Sequence, residues 1–147
     1  MTEPNRSPEE IVNAMMANDA FSQWLGIRIV SISHGYCQLH MQVRDDMCNG
    51  FGIAHGGIAY SIGDSCCSFS INAYGRKSLS VETSVNQFKA IQSGDALTCT
   101  SKEESLGKKL SVYTAEITNA DGERVAIFKG MYYRSDKRWF EAAEDKP

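Results

Sequence analysis

The stretch NGFGIAHGGIAYSIGDSCCSFSIN, residues 49–72, belongs to the longest uncharged part of the chain, and Asp64 is the only Asp, Glu, Lys or Arg in it. Its apolar residues recur at helical spacing: Ile58, Ile62, Cys66 and Phe69. This periodicity predicts a helix over about residues 56–74. Because no face of that helix carries a row of charges, we expect it to be buried, with other elements wrapped around it.

The sequences on either side of this helix supply the strands that wrap it. Two strand-like runs precede the helix, at residues 27–33 and 36–43, and a turn at His34 and Gly35 joins them. Four more follow the helix and are separated by short turns: residues 78–90, 96–105, 109–119 and 124–135. Because short connections imply antiparallel pairing, this element order predicts an α+β domain built on an antiparallel sheet.

Another helix is predicted at the N-terminus, where three residues match a helix-start signal: Ser7 as the N-cap, Pro8 at the first helical position and Glu10 closing a capping box. Three apolar residues after it are expected to dock this segment onto the core: Phe21, Trp24 and Leu25. At the other end, residues 136–147 are expected to form a charged, frayed tail. The chain is thus predicted to be a single domain over residues 1–147, with its core at about residues 24–134.

The composition is that of an ordinary globular protein. The 147 residues include 42% hydrophobic and 22% charged residues, which suffices for one domain with a proper core. A net charge of -3 argues against a nucleic-acid partner, because phosphate binding usually requires an excess of basic residues. The first residues, MTEPNRSPEE, are polar, and no apolar run is long enough for a membrane span. We therefore expect a cytoplasmic protein.

Neither the cysteines nor the histidines are spaced like metal ligands. The five cysteines lack the paired spacing of a metal knuckle or a disulfide framework, so we expect reduced and mostly buried thiols. Cys48 is a weak candidate for a thiol nucleophile, because the sequence places no base beside it. The three histidines show no ligand spacing, so no metal is expected: His34, His40 and His55.

One face of the predicted central helix is small and polar. Gly57, Ser61, Asp64 and Ser68 fall on this face, at spacings of four, three and four residues. On a buried helix, such a stripe indicates a cavity or a close contact between subunits. A buried carboxylate is unfavourable unless it is paired or performs chemistry, so Asp64 is either a hydrogen-bonded structural group or a catalytic one.

The start of the same helix favours the catalytic alternative. The sequence HGG places His55, Gly56 and Gly57 where the unpaired backbone N–H groups of a helix start point outward. Glycines let a ligand approach those donors, and a helix start stabilises the negative charge that an acyl carbonyl acquires in a tetrahedral transition state. Together with Asp64, this arrangement indicates water attack on an activated acyl group. His55 by itself is equally compatible with a helix cap or a packed ring.

The pattern N-x5-HGG-x6-D, formed here by Asn49, residues 55–57 and Asp64, resembles the active-site signature of PaaI-type acyl-CoA thioesterases of the hotdog superfamily. The predicted element order also agrees, from about Trp24 to Arg134. The resemblance implies a hotdog fold, in which a curled antiparallel sheet wraps a long central helix. It also implies self-association into dimers and commonly homotetramers, with each active site at the dimer interface.

The resemblance further implies a role for each matched residue. The Gly56 amide at the helix start would hold the thioester oxygen, and Asn49 and His55 would orient the thioester or the attacking water. Asp64, contributed by the opposite subunit, would be the general base or the nucleophile. Ser80, on the next strand, resembles a position that helps to place the water in some relatives.

Coenzyme A would be part of the substrate, so no separate cofactor is expected. In the family its phosphates lie near the surface on basic residues, for which four are candidates by position: Lys89, Lys108, Lys109 and Arg134. Two residues depart from the family pattern. Gly63 replaces the usual alanine before the acid and is expected to widen or loosen the helix there. Lys108 follows Gly107 where an arginine is frequent, so a point-charge contact would replace bidentate phosphate recognition.

Three functions are compatible with this pattern. The leading hypothesis is hydrolysis of an acyl-CoA by water that Asp64 deprotonates. The alternatives are an acyl-CoA dehydratase or hydratase of the same fold, and a non-catalytic acyl-CoA-binding or sensing module. Four residues are expected in the acyl pocket: Phe51, Ser61, Ser68 and Phe88. Their mixed polar and aromatic character favours an aryl acyl group or one of medium length. The resemblance itself implies phenylacetyl-type thioesters, as in phenylacetic acid degradation, among the substrates.

Overall fold

Helix α3 (Gly56–Asn72) is the element around which the rest of the protein is arranged. In a computed structural model, which describes residues 6–141, six strands lie against this helix. The other elements, in chain order, are α1 (Pro8–Ala17), α2 (Ala20–Leu25), β1 (Arg28–Ser33), β2 (Tyr36–Gln42), a 3-10 turn (Asp45–Met47), β3 (Arg76–Gln87), β4 (Ala96–Leu106), β5 (Leu110–Thr118) and β6 (Arg124–Arg138). The predicted central helix and all six predicted strands are therefore confirmed.

The strands form one antiparallel sheet in the order β1-β2-β4-β5-β6-β3. Each neighbouring pair is antiparallel, as the short connections predicted. Because α3 contacts all six strands, the sheet curls around the helix. This is the predicted α+β arrangement of a curled sheet around a long helix, with β1 and β3 as the two edges.

The core lies between α3 and the concave face of the sheet. From the helix, Ile62, Cys66 and Phe69 are each at most 1% exposed. Strands β2 and β5 bury alternate residues against it: Cys37, Leu39, Met41, Tyr113, Ala115 and Ile117. Burial of each large apolar side chain contributes about 1.5–3 kcal/mol, so these contacts hold the helix inside the sheet.

The cysteines are free thiols, and the prediction that most of them are buried is confirmed. Cys37, Cys66, Cys67 and Cys99 are buried, and Cys48 is half-buried. The Cys66 thiol donates a hydrogen bond to the Cys37 carbonyl at 3.3 Å. Burial raises the pKa of the Cys66 thiol, which therefore packs as a small apolar group instead of acting as a thiolate.

Helix α1 begins where the sequence predicted. The Ser7 hydroxyl accepts a hydrogen bond from the Glu10 N–H at 3.2 Å. The Glu10 carboxylate, however, accepts from Arg6 at 3.2 Å and does not close the predicted capping box. Ile11 and Val12 are buried, so α1 packs onto the core.

Helix α2 buries only one of its sides. Leu25 is fully buried as predicted, whereas Phe21 is 55% exposed and Trp24 is 46% exposed. The expectation that all three side chains dock onto the core is therefore wrong for the two aromatic residues. Their rings stack on each other, with centroids 6.1 Å apart, and remain on the surface.

The first part of the predicted tail is ordered. Strand β6 continues to Arg138 and pairs with the start of β3. Beyond it, the Trp139 indole N–H donates to the Asn72 side-chain oxygen at 2.8 Å, at the end of α3. The expectation of a frayed tail is thus wrong for residues 136–139, because strand pairing and this hydrogen bond fix them. Residues 142–147 lie outside the described part of the chain.

Gly63 brings α3 close to strand β6. It is buried, and a Cβ atom added to it would lie 2.4 Å from the Cβ of Phe128. The expectation that Gly63 widens or loosens the helix beside the site is therefore wrong. The space that an alanine methyl would take is filled by Phe128, so this glycine permits a tighter helix–sheet contact.

We expect Gly63→Ala to lower the free energy of unfolding by about 1–3 kcal/mol, because the added methyl overlaps Phe128 in a closely packed core. Denaturant unfolding measures this change. Gly50→Ala is the control, since nothing lies within 4 Å of the added Cβ there, and its effect should stay within about 0.5 kcal/mol. Equal stability of Gly63→Ala and wild type would contradict the tight packing of α3 on β6.

Candidate active site

His55 caps the start of α3. Its Nδ1 atom accepts a hydrogen bond from the Gly57 N–H at 2.9 Å, and its carbonyl accepts from the Ile58 N–H at 2.9 Å. The backbone N–H of His55 donates to the Met47 carbonyl at 2.8 Å, which ties the helix start to the preceding loop. Because Nδ1 accepts, the proton of the neutral ring lies on Nε2, so the exposed His55 ring offers a donor.

The two glycines of the helix start have different roles. The Gly57 N–H is occupied by His55, whereas Gly56 is the first helical residue and its N–H is one of the donors that a helix leaves unpaired. Both glycines are partly exposed. The Gly56 amide is therefore the group in this segment that is suited to hold a developing oxyanion.

Asn49 lies in the loop before α3. Its side-chain oxygen accepts from the Phe51 N–H at 2.9 Å, and its carbonyl accepts from the Gly52 N–H at 3.0 Å. These bonds form an Asx turn that fixes the side chain. The side-chain nitrogen of Asn49 takes no part in these bonds and is left as a donor, and its orienting role stays a prediction.

Asp64 lies on α3 two turns beyond the glycines and is half-buried. The Tyr132 hydroxyl, from strand β6, donates to Asp64 Oδ1 at 3.0 Å. Within residues 6–141, no hydrogen bond reaches Asp64 Oδ2. Burial raises the pKa of the Asp64 carboxyl; the Tyr132 hydrogen bond lowers it, and the charge of Asp19 raises it. Desolvation therefore makes this carboxylate more basic than an exposed one.

The polar face of α3 is the side of the helix that the sheet does not cover. Its residues are all partly exposed: Gly57, Ser61, Asp64 and Ser68. The Ser61 hydroxyl donates to the Gly57 carbonyl at 2.6 Å, so it is satisfied within the helix. Asp64 follows Gly56 by eight residues, which is about 12 Å along a helix. One chain therefore holds the Gly56 amide and the Asp64 carboxylate at separate points along α3.

Ser80 lies on β3, where its Cα pairs with that of Tyr132. Side chains of directly paired residues share a face of the sheet. Since the Tyr132 hydroxyl reaches Asp64, this register brings Ser80 into the neighbourhood of the carboxylate. The role of Ser80 in placing water stays a prediction.

A cavity of about 310 Å³ opens beside the helix start. It is lined by Phe21, Trp24, Asp46, Met47, Cys48, His55, Gly57, Ile58 and Ser61. Of the four residues predicted for the acyl pocket, only Ser61 lines this cavity, whereas Phe51 is 91% exposed. The stacked rings of Phe21 and Trp24 form its aromatic part. The sequence could not reveal them as site residues, because their apolar character predicted burial.

The four predicted CoA-binding cations do not form one group. Lys89 lies near the start of β6 and forms an ion pair with Glu123 at 2.6 Å. Arg134, towards the other end of β6, donates from Nη1 to the Gly107 carbonyl at 2.8 Å and thereby braces the turn before β5. Burial lowers the pKa of Arg134.

Lys108 and Lys109 line a second cavity, of about 490 Å³, together with three other charged residues: Arg76, Asp136 and Arg138. Four of these five side chains are cationic, so the cavity is suited to phosphate groups. The two lysines were predicted from the sequence but the arginines were not, since these join the lysines only through the pairing of β3 with the ordered end of β6.

In residues 6–141, no three His, Cys, Asp or Glu side chains lie together as a metal site would require. No helix in the same range is long and apolar enough to cross a membrane.

A curled antiparallel sheet around a central helix, with glycine amides at the helix start and a carboxylate two turns later, defines a hotdog-fold protein. The chain belongs to the Thioesterase superfamily, whose family model it matches over residues 51–126. It is 33% identical over 122 residues to the acyl-coenzyme A thioesterase PaaI of Escherichia coli (strain K12), covering 83% of this chain and 87% of that protein. The PaaI-type resemblance is thereby confirmed.

Two further comparisons agree, one with a solved structure of the same E. coli protein and one with a human sequence. The structure of the E. coli PaaI protein from the phenylacetic acid degradation operon superposes with a TM-score of 0.86 at 30% identity, covering 89% of this chain and 95% of that one. Acyl-coenzyme A thioesterase 13 of Homo sapiens is 26% identical over 130 residues, covering 86% of this chain and 93% of that protein.

Proposed function

We propose that the protein is an acyl-CoA thioesterase, which cleaves the thioester bond with water. Relatives named as acyl-coenzyme A thioesterases support this activity. The single observation that carries the proposal is Asp64: a half-buried carboxylate, bonded at one oxygen and open at the other, on the uncovered face of the helix that begins with Gly56. A carboxylate in this setting can accept a proton from water.

The proposed site lies between two subunits of a homodimer. Because about 12 Å of helix separates Gly56 from Asp64, one chain does not supply both groups to the same carbonyl. Two α3 helices packed antiparallel on their polar faces would set Gly56 of one subunit against Asp64 of the other. The free edge of β3 supports such a pairing, with Leu79 76% and Val81 58% exposed. Further pairing of dimers would give a homotetramer.

In the proposed reaction, the Gly56 N–H polarises the thioester carbonyl. Asp64 removes a proton from a water molecule, whose oxygen attacks the carbonyl carbon. The tetrahedral intermediate carries its negative charge at the helix start, and its collapse breaks the carbon–sulfur bond and releases CoA thiolate, which takes up a proton. Asn49 and the Nε2–H of His55 orient the thioester. Hydrolysis in this form needs no metal and no redox cofactor.

The acyl group is proposed to occupy the cavity of about 310 Å³ beside the helix start. Its aromatic side chains, Phe21 and Trp24, suit an aryl acyl group such as phenylacetyl, and its apolar residues Met47 and Ile58 suit a medium-length chain. The name of the E. coli relative's operon supports the aryl alternative. The protein is proposed to act in the cytoplasm.

The CoA phosphates are proposed to bind in the basic cavity that contains Lys108 and Lys109. This cavity lies at the C-terminal end of α3, since Arg76 follows that helix closely and also lines it. Arg134 would act by bracing the turn that carries the lysines. Lys89 stays a candidate for a separate contact with CoA.

We expect Asp64→Asn to reduce thiol release by about 100-fold or more, because asparagine cannot take the proton from water. The assay compares wild type and variant on phenylacetyl-CoA and on a series of medium-chain acyl-CoAs, with circular dichroism as the check on folding. Turnover of the variant within a few-fold of wild type would exclude Asp64 as the base. Conversion of an enoyl-CoA or 3-hydroxyacyl-CoA without thiol release would instead indicate a hydratase or dehydratase.

Val81→Lys is expected to shift the protein towards monomer and to remove most thiol release, because it places a charge on the proposed dimer edge. Analytical ultracentrifugation reports the mass. Val30→Lys is the matched control: Val30 is also 58% exposed and also lies on an edge strand, but on β1. If Val81→Lys keeps the mass and activity of wild type, the β3 edge does not form the active dimer.

The double variant Lys108→Gln/Lys109→Gln should raise KM for acyl-CoA by about ten-fold and leave kcat nearly unchanged, since it removes two charges from the phosphate cavity. Its kcat/KM for the acyl-N-acetylcysteamine thioester, which lacks phosphates, should equal that of wild type. Lys102→Gln/Lys129→Gln removes the same charge from two exposed lysines outside the cavity. If this control raised KM for acyl-CoA equally, the effect would come from the net charge of the protein and not from phosphate binding in the cavity.

A further inference from the structure

Tyr132 is a buried side chain whose hydroxyl faces Asp64, where it lies within hydrogen-bond distance of the carboxylate and also 3.4 Å from the backbone carbonyl. It is 1% exposed, and its hydroxyl lies 3.0 Å from Asp64 Oδ1. Burial, chiefly, and the charge of Asp64 raise the pKa of Tyr132 well above its ordinary value, so the phenol keeps its proton. A protonated phenol beside a carboxylate donates to it, which makes this a charge-assisted hydrogen bond.

The packing of strand β6 fixes the position of this hydroxyl. Phe128, Gly130 and Tyr132 alternate along the strand and are all buried on its inner side. A Cβ atom at Gly130 would lie 2.5 Å from Cε2 of the Tyr132 ring, so the ring lies across the glycine. The ring also packs edge-on against Tyr113, with centroids 6.1 Å apart. These contacts fix the ring, and with it the hydroxyl, at one position relative to α3.

The two oxygens of Asp64 are thereby made unequal. Oδ1 is held from the core by Tyr132, while Oδ2 receives no hydrogen bond from any residue in the range 6–141. A carboxylate fixed at one oxygen loses the rotation that would otherwise spread its lone pairs over many directions. Oδ2 is then the oxygen that remains available to a water molecule.

We propose that Tyr132 is a positioning residue for Asp64, which fixes Oδ1 from the core side and leaves Oδ2 as the oxygen that takes the proton from water. This inference rests on the proposed thioesterase function. Tyr132 itself touches neither the substrate nor the water in this arrangement. Its effect on the reaction passes entirely through the carboxylate.

Few other ionisable groups face Asp64. In the described part of the chain these are Asp19, from the cap of α2, and Cys67, one turn further along α3. Asp19 raises the pKa of Asp64, whereas the Tyr132 hydrogen bond lowers it. Burial raises the pKa of the Cys67 thiol, which therefore stays neutral. Removal of the Tyr132 hydroxyl leaves only influences that favour the protonated acid.

The test is Tyr132→Phe, which keeps the ring and removes the hydroxyl. We expect kcat on the pH-independent plateau to fall about ten-fold, with KM nearly unchanged, because the carboxylate is ionised there but no longer oriented. The acidic limb of the kcat/KM profile should move to higher pH, because the variant loses a hydrogen bond to the ionised form. The carboxyl-carbon resonance of Asp64, titrated by NMR in the resting protein, should move in the same direction.

Tyr113→Phe is the matched control. Tyr113 is also fully buried, and its hydroxyl donates to a different carboxylate, Glu103, at 2.6 Å. We expect a lower Tm but no change in the acidic limb. Equal effects of the two variants on kcat and on the acidic limb would show a general structural loss and overturn the proposal, as would a Tyr132→Phe profile that matches wild type.

The NMR measurement separates this inference from the proposed function. If wild type releases no thiol from any acyl-CoA, the thioesterase proposal fails, while the Asp64 titration still reports whether Tyr132 holds the carboxylate. If Tyr132→Phe does not fold, a measurement on the wild-type protein tests the hydrogen bond instead. Exchange of the Tyr132 hydroxyl proton for deuterium should then shift the Asp64 carboxyl-carbon resonance, and an unshifted resonance would overturn the hydrogen bond on which the proposal depends.

Discussion

The burial of α3 inside the curled sheet is the constraint on which the rest of the structure depends. All six strands contact this helix, so most of its surface must be apolar or small. The sheet leaves one stripe of the helix uncovered, and the carboxylate of the helix, Asp64, lies there. The same enclosure removes water from Asp64 and so raises the pKa of its carboxyl, which links the packing of the helix to the chemistry proposed for it.

Strand β6 does more than close one side of the core, because its residues also set how closely α3 approaches the sheet. Two glycine–aromatic contacts set its distance from α3: Gly63 of the helix against Phe128, and Gly130 of the strand under the Tyr132 ring. The first allows the helix to lie close to the strand. The second leaves room for the Tyr132 ring to lie over its own strand, so that its hydroxyl reaches Asp64 from the core side. At both positions of this interface, a glycine leaves open the space that a larger side chain would block.

Much of this could be predicted from the sequence, because the signals are local. Helical spacing, strand alternation and turn residues each act over a few positions, and the matched residues from Asn49 to Asp64 fall within one loop and one helix. Tyr132 lies 68 residues after Asp64, and only the sheet register joins the two. The exposure of Phe21 and Trp24 could not be predicted from the sequence either, since apolar side chains are expected to be buried unless a site or an interface requires them at the surface.

The electrostatic setting of Asp64 shows a balance between stability and chemistry. In the folded protein, burial holds the pKa of this carboxyl above its value in the unfolded chain. Over the pH range between the two values the folded state binds more protons, so stability decreases as pH rises, and ionised Asp64 is a cost to folding at neutral pH. The Tyr132 hydrogen bond opposes this cost, because it stabilises the ionised form. A buried phenol that keeps its proton stabilises the ionised carboxylate without adding a charge of its own. A lysine or arginine at the same place would pair with the carboxylate and remove its basicity.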